Sequence, residues 1–270
     1  MRHIDRVAPA FLVYGQGIRP ATAWSLSSSK RLLDMVVAVL VLIVFAIPML
    51  LISILIRLTS DGPVIFVQKR VGMNGRHFSI YKFRSMEANS EKRHGPSLTR
   101  EGDVRITGVG RWLRKFKLDE LPQFYNVLRG DMSLVGPRPK LPQYAEQRCL
   151  HFRPGITGAA TIAFRSEEEI LKHIDVVHLE HFYLRRIKPL KERIDLRYMR
   201  NATMWSDLVL IVKTLKVSFE PPRIPGSFRT LNRSEQSAQP QLKRAAGDRP
   251  MPTSGRGVLS EADCELVVAD

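Results

Sequence analysis

The stretch Leu32–Leu58 reads LLDMVVAVLVLIVFAIPMLLISILIRL, and between Met35 and Ile56 only Pro48 and Ser53 are not plainly apolar. Crossing a bilayer takes about 20 residues, so this run is long enough and reads as membrane-embedded. Pro48 sits near its middle, where it removes a backbone hydrogen bond and kinks a helix. Lys30 and Arg31 flank the run on one side, and Arg57, Lys69 and Arg70 on the other. A crossing helix cannot keep both basic flanks in the cytoplasm. A bent helix that enters and leaves by one leaflet keeps both. A kinked single span is the other reading, since prolines are tolerated in membrane helices.

Working outward toward the N-terminus, residues 1–30 carry Pro9, Gly15, Gly17, Pro20 and a Ser27–Ser29 run, without periodicity. They read as a flexible arm. They do not read as a secretory leader, since the apolar run begins late, is long and is followed by no small-residue cleavage site.

Toward the C-terminus, Val64–Gln68 and His77–Phe83 read as two strands. Asn74-Gly75 between them suits a tight hairpin because both residues tolerate positive φ. Residues 87–107 are polar, with Gly95-Pro96, and read as a mobile loop over the site. Leu141–Phe152 predicts a helix, Gly155–Gly158 a turn, and the run ending at Arg165 an extended segment. Ser166–Glu169 is a capping box opening a helix with Ile170, Leu171, Ile174 and Val177 on one face. His173, His178 and His181 on it lack metal-ligand spacing. Met204–Val217 is amphipathic, with Trp205, Leu208, Ile211, Val212 and Leu215 aligned. Core packing is the default for such a stripe, and a place in the bilayer interface is its rival. From Pro221 the composition turns to Pro, Gly, Ser, Gln and Arg and reads as disordered.

The chemistry concentrates in Arg111–Pro139, RWLRKFKLDELPQFYNVLRGDMSLVGPRP. Asp119 and Glu120 lie between a basic segment (Arg111, Arg114, Lys115, Lys117) and a short apolar helix. Pro122 falls in that helix's first turn and Gly130 stops it, which places Asp119 beside the helix N-terminus. Gly136-Pro137-Arg138-Pro139 is a stiff loop presenting an arginine suited to bidentate phosphate contacts. Acid pair, helix start and fixed arginine together point to phosphoryl chemistry, although an aspartate there, taken alone, is most often only a cap.

The chain has 270 residues, 42 Lys+Arg against 26 Asp+Glu, and a formal charge of +16, which predicts a polyanionic partner. Two cysteines give neither a disulfide framework nor a metal motif. The P-loop, dinucleotide-fold, H-E-x-x-H and C-x-x-C signatures are missing, and no nucleic-acid module is present. The excess charge beside the apolar run suits an anionic leaflet instead.

Lys30-Arg31-x-x-Asp34 before a proline-broken apolar helix resembles the bacterial sugar transferase family. So do Gln68-x-Arg70-x-Gly72, Tyr81-Lys82-Phe83-Arg84, Leu118–Gln123, Asn126–Ser133 and Val135–Pro139. The resemblance covers roughly residues 30–218 and is to the monotopic phosphoglycosyl transferases, in a short form without an additional multi-span N-terminal domain. It implies a helix-rich α+β fold: a re-entrant or single-span membrane helix, a small β-hairpin and amphipathic interfacial helices. The expected partition is 1–30 arm, 31–60 membrane helix, 61–219 cytoplasmic phosphoglycosyl transferase domain and 220–270 disordered tail.

The implied activity moves a sugar 1-phosphate from a UDP-sugar to undecaprenyl phosphate through a phosphosugar-aspartate, releasing UMP. It would begin exopolysaccharide, O-antigen or related glycan assembly at the cytoplasmic face of the bacterial inner membrane. Carried over residue by residue, Asp119 is the nucleophile and Glu120 its acidic partner, both also candidates to hold Mg²⁺. Lys82, Arg84, Arg114, Arg138, Arg165 and Arg70 bind substrate. Implied partners are the UDP-sugar, undecaprenyl phosphate, membrane lipid and a possible second copy of the chain, with no nucleic acid. Two places depart from the family. Ile47 stands before Pro48 where serine is common, and Gly155-Ile-Thr-Gly158-Ala-Ala-Thr-Ile-Ala-Phe-Arg165 replaces Gly-x-x-Gly-Trp-Ala-Gln-Val-x-Gly-Arg. The rival from another class is a non-catalytic, membrane-anchored basic adaptor.

Overall fold

The structure is a computed structural model that describes residues 11–12, 19–20, 22–88, 98–145, 151–172, 174–218 and 220. The readings of the N-terminal arm, of His173 and of the C-terminal tail lie largely outside those residues.

Helix α1 (Ser28–Val44) begins at Ser27, whose hydroxyl accepts from the Lys30 N–H at 3.0 Å. It breaks at Phe45 and resumes as α2 (Ala46–Thr59), the two axes bent by 61°. The cause is Pro48, which has no N–H for the Val44 carbonyl four residues back and whose ring crowds it. Phe45 takes φ −93 and ψ 7, yet its N–H still donates to Val41 O and its carbonyl accepts from Met49 N–H. The break is therefore confined to one residue. Among the described residues no single helix is long and apolar enough to cross a membrane, and only this bent pair passes together, by length and composition.

Strands β1 (Ile65–Val71) and β2 (His77–Phe83) form the expected antiparallel hairpin, Ile65 opposite Phe83 and Val71 opposite His77. Asn74 and Gly75 turn it with φ of 54 and 75. Helix α3 (Gly108–Lys115) starts at Thr107, whose side chain accepts from Gly110 N–H at 2.9 Å. Gly110 lies so close to β2 that an added Cβ would meet the Ser85 carbonyl at 1.9 Å, so only glycine lets α3 approach. Helix α4 (Gln123–Arg129) ends as expected, at Gly130 with φ 91.

Beyond Pro139 the sequence reading and the fold part. Of the helix expected over 141–152, residues 141–145 and 151–152 are described, and 141–145 form a 3₁₀ turn, Pro142–Tyr144, between an extended Leu141, held so by Pro142, and an extended Ala145. Residues 155–157 are a strand rather than a turn: β4 (Gly155–Thr157) pairs in parallel with β3 (Ser133–Val135). The run expected to be extended instead coils into α5 (Ala159–Ala163), whose Ala160 N–H donates to Asp195 Oδ1 at 2.9 Å. The helix opened by Ser166 is two helices, α6 (Glu167–Lys172) and α7 (Val176–Phe182), because Asp175 caps the second through Val177 N–H at 2.9 Å. Val177 is thereby turned out to 82% exposure. A widened turn (Tyr183–Ile187) leads to α8 (Lys188–Met199) and then α9 (Met204–Ser218).

The bent helices are built into the domain. Ala38 of α1 packs in one core with Ile80, Val127, Met132, Leu134, Val135 and Leu210. Ile52 and Ile56 of α2 pack in a second with Phe83, Leu113 and Leu121. Their other face is bare around the bend, where Ile43, Val44, Ile47, Leu50 and Leu51 are all more than half exposed. On α9 Trp205, Val212 and Leu215 of the stripe face outward, while Leu208 and Ile211 are half-buried and Ile211 packs on the first core beside the buried Leu210. Core packing therefore accounts for only part of that stripe.

Candidate active site

The acid pair lies on a 3₁₀ turn, Leu118–Glu120, between α3 and α4. Lys117 before it adopts the left-handed conformation, φ 57 and ψ 20, uncommon for a residue with a side chain. That reversal carries the chain from the end of α3 back beneath β2. Leu121 and Pro122 then continue in helical conformation into α4. Asp119 and Glu120 are both buried, 5% and 8% exposed.

The two carboxylates have opposite surroundings. Glu120 Oε1 accepts from Lys82 Nζ at 3.1 Å and from Arg138 Nη2 at 2.5 Å, and Oε2 lies 3.5 Å from Arg138 Nη1. Burial acts to raise its carboxyl, but Arg138, then Lys82 and Lys117, outweigh it and hold Glu120 well below the usual carboxylate range. Asp119 Oδ1 is buried with no hydrogen-bond partner. Burial, and then the Glu120 charge, push its carboxyl up, against the pull of Lys82, Arg114 and Lys117. Lys82 is lowered by burial against the attraction of Glu120, and Arg138 is raised chiefly by Glu120. Burial, then repulsion by Arg138, bring Arg70 down to about 10.

Each partner arrives from a separate element. Lys82 projects from β2, and α4 is pinned to that strand by Asn126, which is fully buried. Its Oδ1 accepts from Tyr81 N–H at 3.1 Å and its Nδ2 donates to the Ser79 carbonyl at 2.8 Å. Arg138 comes from the proline-stiffened loop after β3. Arg70 donates to the Pro139 carbonyl at 3.1 Å and to Gln68 at 2.6 Å, which joins the hairpin to that loop. Lys82, Arg138 and Arg70 are thus gathered around the acid pair.

The other expected substrate ligands stand differently. Arg114 is ion-paired with Glu168 of α6, yet its charge still reaches Asp119. Arg84 donates both to the carbonyl and to the hydroxyl of Ser60 at 2.7 Å, tying β2 to the end of α2. Arg165 pairs with Glu220 at 3.1 Å. No group of three or more metal-ligating side chains occurs among the described residues. Asp119 Oδ1 is buried without a hydrogen bond, and Glu120 is occupied by its cations. An octahedral ion held mostly by substrate phosphate oxygens needs only one or two protein carboxylates, and Asp119 is the member of the pair that fits Mg²⁺.

Sequence reasoning also missed what the basic flank of α1 does. Lys30 is buried and its ammonium meets Asp207 Oδ2 of α9 at 2.6 Å. Asp207 Oδ2 also takes the Trp24 indole N–H at 2.9 Å, and Oδ1 takes the Tyr198 hydroxyl at 2.5 Å. Asp34 Oδ1 accepts from Leu134 N–H at 3.2 Å. Arg31 donates to the Val127 and Leu128 carbonyls at 2.5 and 2.9 Å, closing the C-terminal end of α4. These residues were visible as a Lys-Arg-x-x-Asp motif, but nothing in their spacing named partners so far along the chain.

A cavity of about 300 Å³ opens beside the acid pair, with Arg70 and Arg138 in its wall. Leu98 and Thr99, from the middle of the 87–107 segment, also line it.

Residues 25–221 match the family described as Bacterial sugar transferase. An N-acetylgalactosaminephosphotransferase of Aeromonas hydrophila that uses UDP-N-acetylgalactosamine and undecaprenyl phosphate is 39% identical over 198 residues. The match takes in 69% of this chain and 43% of the relative. A UDP-glucose:undecaprenyl-phosphate glucose-1-phosphate transferase of Klebsiella pneumoniae is 40% identical over 200 residues, 70% of this chain and 40% of that protein. One of the same name from Caulobacter vibrioides is 37% identical over 202 residues, covering 69% and 68%. The chain thus spans about two fifths of the first two relatives and two thirds of the third. With the match running from ahead of α1 to beyond α9, the chain belongs to the bacterial sugar transferase family.

Proposed function

We propose that this chain transfers a sugar 1-phosphate from a UDP-sugar to undecaprenyl phosphate, with Asp119 as the nucleophile. The carboxylate oxygen forms a bond to the β-phosphorus while the bond to the UMP oxygen breaks. The polyprenyl phosphate oxygen then attacks that phosphorus and expels Asp119, giving the polyprenyl diphosphate sugar. The observation that carries this is the unpartnered, buried Oδ1 of Asp119 beside a Glu120 that is already neutralised. A desolvated oxygen without a hydrogen bond is more nucleophilic than one solvated by water or clamped by a cation. Arg138, Lys82 and Arg70 bear on charge that develops on the phosphoryl oxygens. Mg²⁺, when bound through Asp119 and the donor's phosphates, would neutralise the diphosphate. In Arg114, Glu168 takes the place of an anion, and a donor phosphate would replace it.

The acceptor requires a site at headgroup height, because its long tail stays in the bilayer. In this reading α1 and α2 enter and leave by one face, which rests on their tethers. Lys30 and Arg31 bind the domain at the start of the pair, and Ser60 binds Arg84 of the same domain at its end. The exposed faces of the bend and of α9 would lie in lipid, with Trp205 near the headgroups.

The test is UMP release by membranes given UDP-sugars, Mg²⁺ and undecaprenyl phosphate. Asp119→Asn should abolish it, and donor without acceptor should leave a phosphosugar adduct on the peptide holding Asp119. Turnover surviving in the variant removes Asp119 as nucleophile. Labelling of cysteines placed near residues 28 and 62 should find both on one side of the membrane.

A further inference from the structure

We propose that the cavity beside Arg138 seats the sugar ring of the donor, and that two ammonium–carboxylate pairs in its wall, Lys140–Glu192 and Lys191–Glu167, read that ring's hydroxyls. The proposal rests on the donor reading above and names the half of the donor that this cavity takes.

Three observations carry it. The first is position. Arg138 lines the cavity and also holds Glu120 at 2.5 Å, so the cavity lies one side chain from the acid pair. In a UDP-sugar attacked at its β-phosphate, the sugar is bonded directly to the reacting phosphorus, and the nucleoside lies a further phosphate away. The space adjoining Asp119 through a single guanidinium is the sugar's.

The second is size. About 300 Å³ is at the bottom of the range for small-molecule sites. It accommodates one ring with its substituents, the rest of the donor lying outside it.

The third is chemistry. An ammonium has three donors and a carboxylate about four lone-pair sites, so each pair keeps groups to give to and take from a hydroxyl. The Lys191–Glu167 contact is 2.6 Å, and both side chains are only partly exposed. Within each pair the charges cancel, which favours a neutral hexose or N-acetylhexosamine over an acidic sugar. Tyr144 and Tyr183, ring centroids 5.9 Å apart and tilted by 51°, offer aromatic faces to the ring's C–H side. The relatives named above, 39% and 40% identical to this chain, carry different sugars in their names, N-acetylgalactosamine and glucose. A sugar read by a handful of side chains is consistent with that.

The experiment compares two ligands on the intact chain and on Glu192→Gln and Lys191→Met. UMP probes the nucleoside half alone, and a panel of UDP-glucose, UDP-galactose and their N-acetylated relatives probes both halves. Equilibrium binding should show the preferred UDP-sugar weakened about tenfold in each variant, the size of one lost hydrogen bond. UMP affinity should stay within about twofold, and the order of preference among sugars should change. Parallel weakening of UMP would make this the nucleoside seat and overturn the proposal, as would unchanged affinities in both variants. Binding does not require turnover, so an intact chain that discriminates sugars but releases no UMP would sink the transfer reading and leave the sugar seat standing.

Discussion

Two buried clusters of charge lie in this domain and are built in opposite ways. In the one that roots α1, Asp207 spends one oxygen on Lys30 and Trp24 and the other on Tyr198, while Asp34 holds a backbone N–H. In the one at the acid pair, Glu120 is saturated by Lys82 and Arg138, and its neighbour Asp119 keeps an oxygen with no partner. A buried polar network with every member satisfied specifies one arrangement, and one left partly open is costly unless something else completes it. The first cluster is therefore an anchor, and the second is where, on the proposed function, a ligand would contribute what the fold omits.

The largest expected effect separates the two. Asp119→Asn should lower UMP release by at least about 10³-fold, as removal of a nucleophile does, with the thermal midpoint unchanged or raised. Asp207→Ala should do the reverse. Breaking this buried pair leaves Lys30 with only the more distant Asp34, 3.7 Å away, and costs up to about 3–5 kcal/mol, read as a lowered denaturation midpoint. If it proves neutral, the anchor assignment fails.

Within the acid pair the contrast is one of sign, and pH resolves it. The Asp119 carboxyl is raised, so its stabilising contribution is present at low pH and is lost as pH rises through that raised value. Glu120 is depressed, so its contribution is present above the ordinary carboxylate pKa of about 4.3 and is lost only as pH falls toward its low folded value. Stability of the wild type minus that of Asp119→Asn should fall with rising pH over the acidic range. The same difference taken with Glu120→Gln should rise. Matching slopes would mean that the two carboxylates are not distinguished. Activity should climb with pH as Asp119 ionises. At neutral pH Glu120→Gln should cost about 2 kcal/mol, the worth of a charge-assisted hydrogen bond, measured by chemical denaturation.

The smallest effect lies just before the pair. Lys117→Gly removes a left-handed side-chain penalty of about 1–2 kcal/mol, partly offset by glycine's entropy. A gain of up to about 1 kcal/mol is expected, together with weaker donor binding, since one cation beside Asp119 is gone.

What could be read along the chain followed the range of each signal. Pro48 predicted the bend, Asn74-Gly75 the hairpin turn and Gly130 the helix stop, because each acts on backbone within four residues of itself. The parallel pairing of Gly155–Thr157 with Ser133–Val135 was not legible, since a three-residue strand has too little alternation to display and its partner is distant. Asp175 misled for a similar reason: its capping of Val177 competes with a helix pattern that otherwise runs through it. Lys30 and Arg31 read as a topological flank because their charge was visible and their partners were not. Arg84 read as a substrate ligand, and its Nη2 also donates to Ser60, a contact its place in the sequence did not show.

The sequence by itself determined an apolar run broken by a proline, a hairpin, and two adjacent carboxylates set between cations and a helix. All of these are written in residues a few places apart. Only the tertiary structure decided which carboxylate is neutralised and which is left bare. Glu120 meets cations 18 and 38 residues away, and Lys30 meets an aspartate 177 residues away. Local propensity acts through backbone dihedrals and so travels with the sequence. Charge and desolvation act through space, and take their values only once distant segments have been brought together.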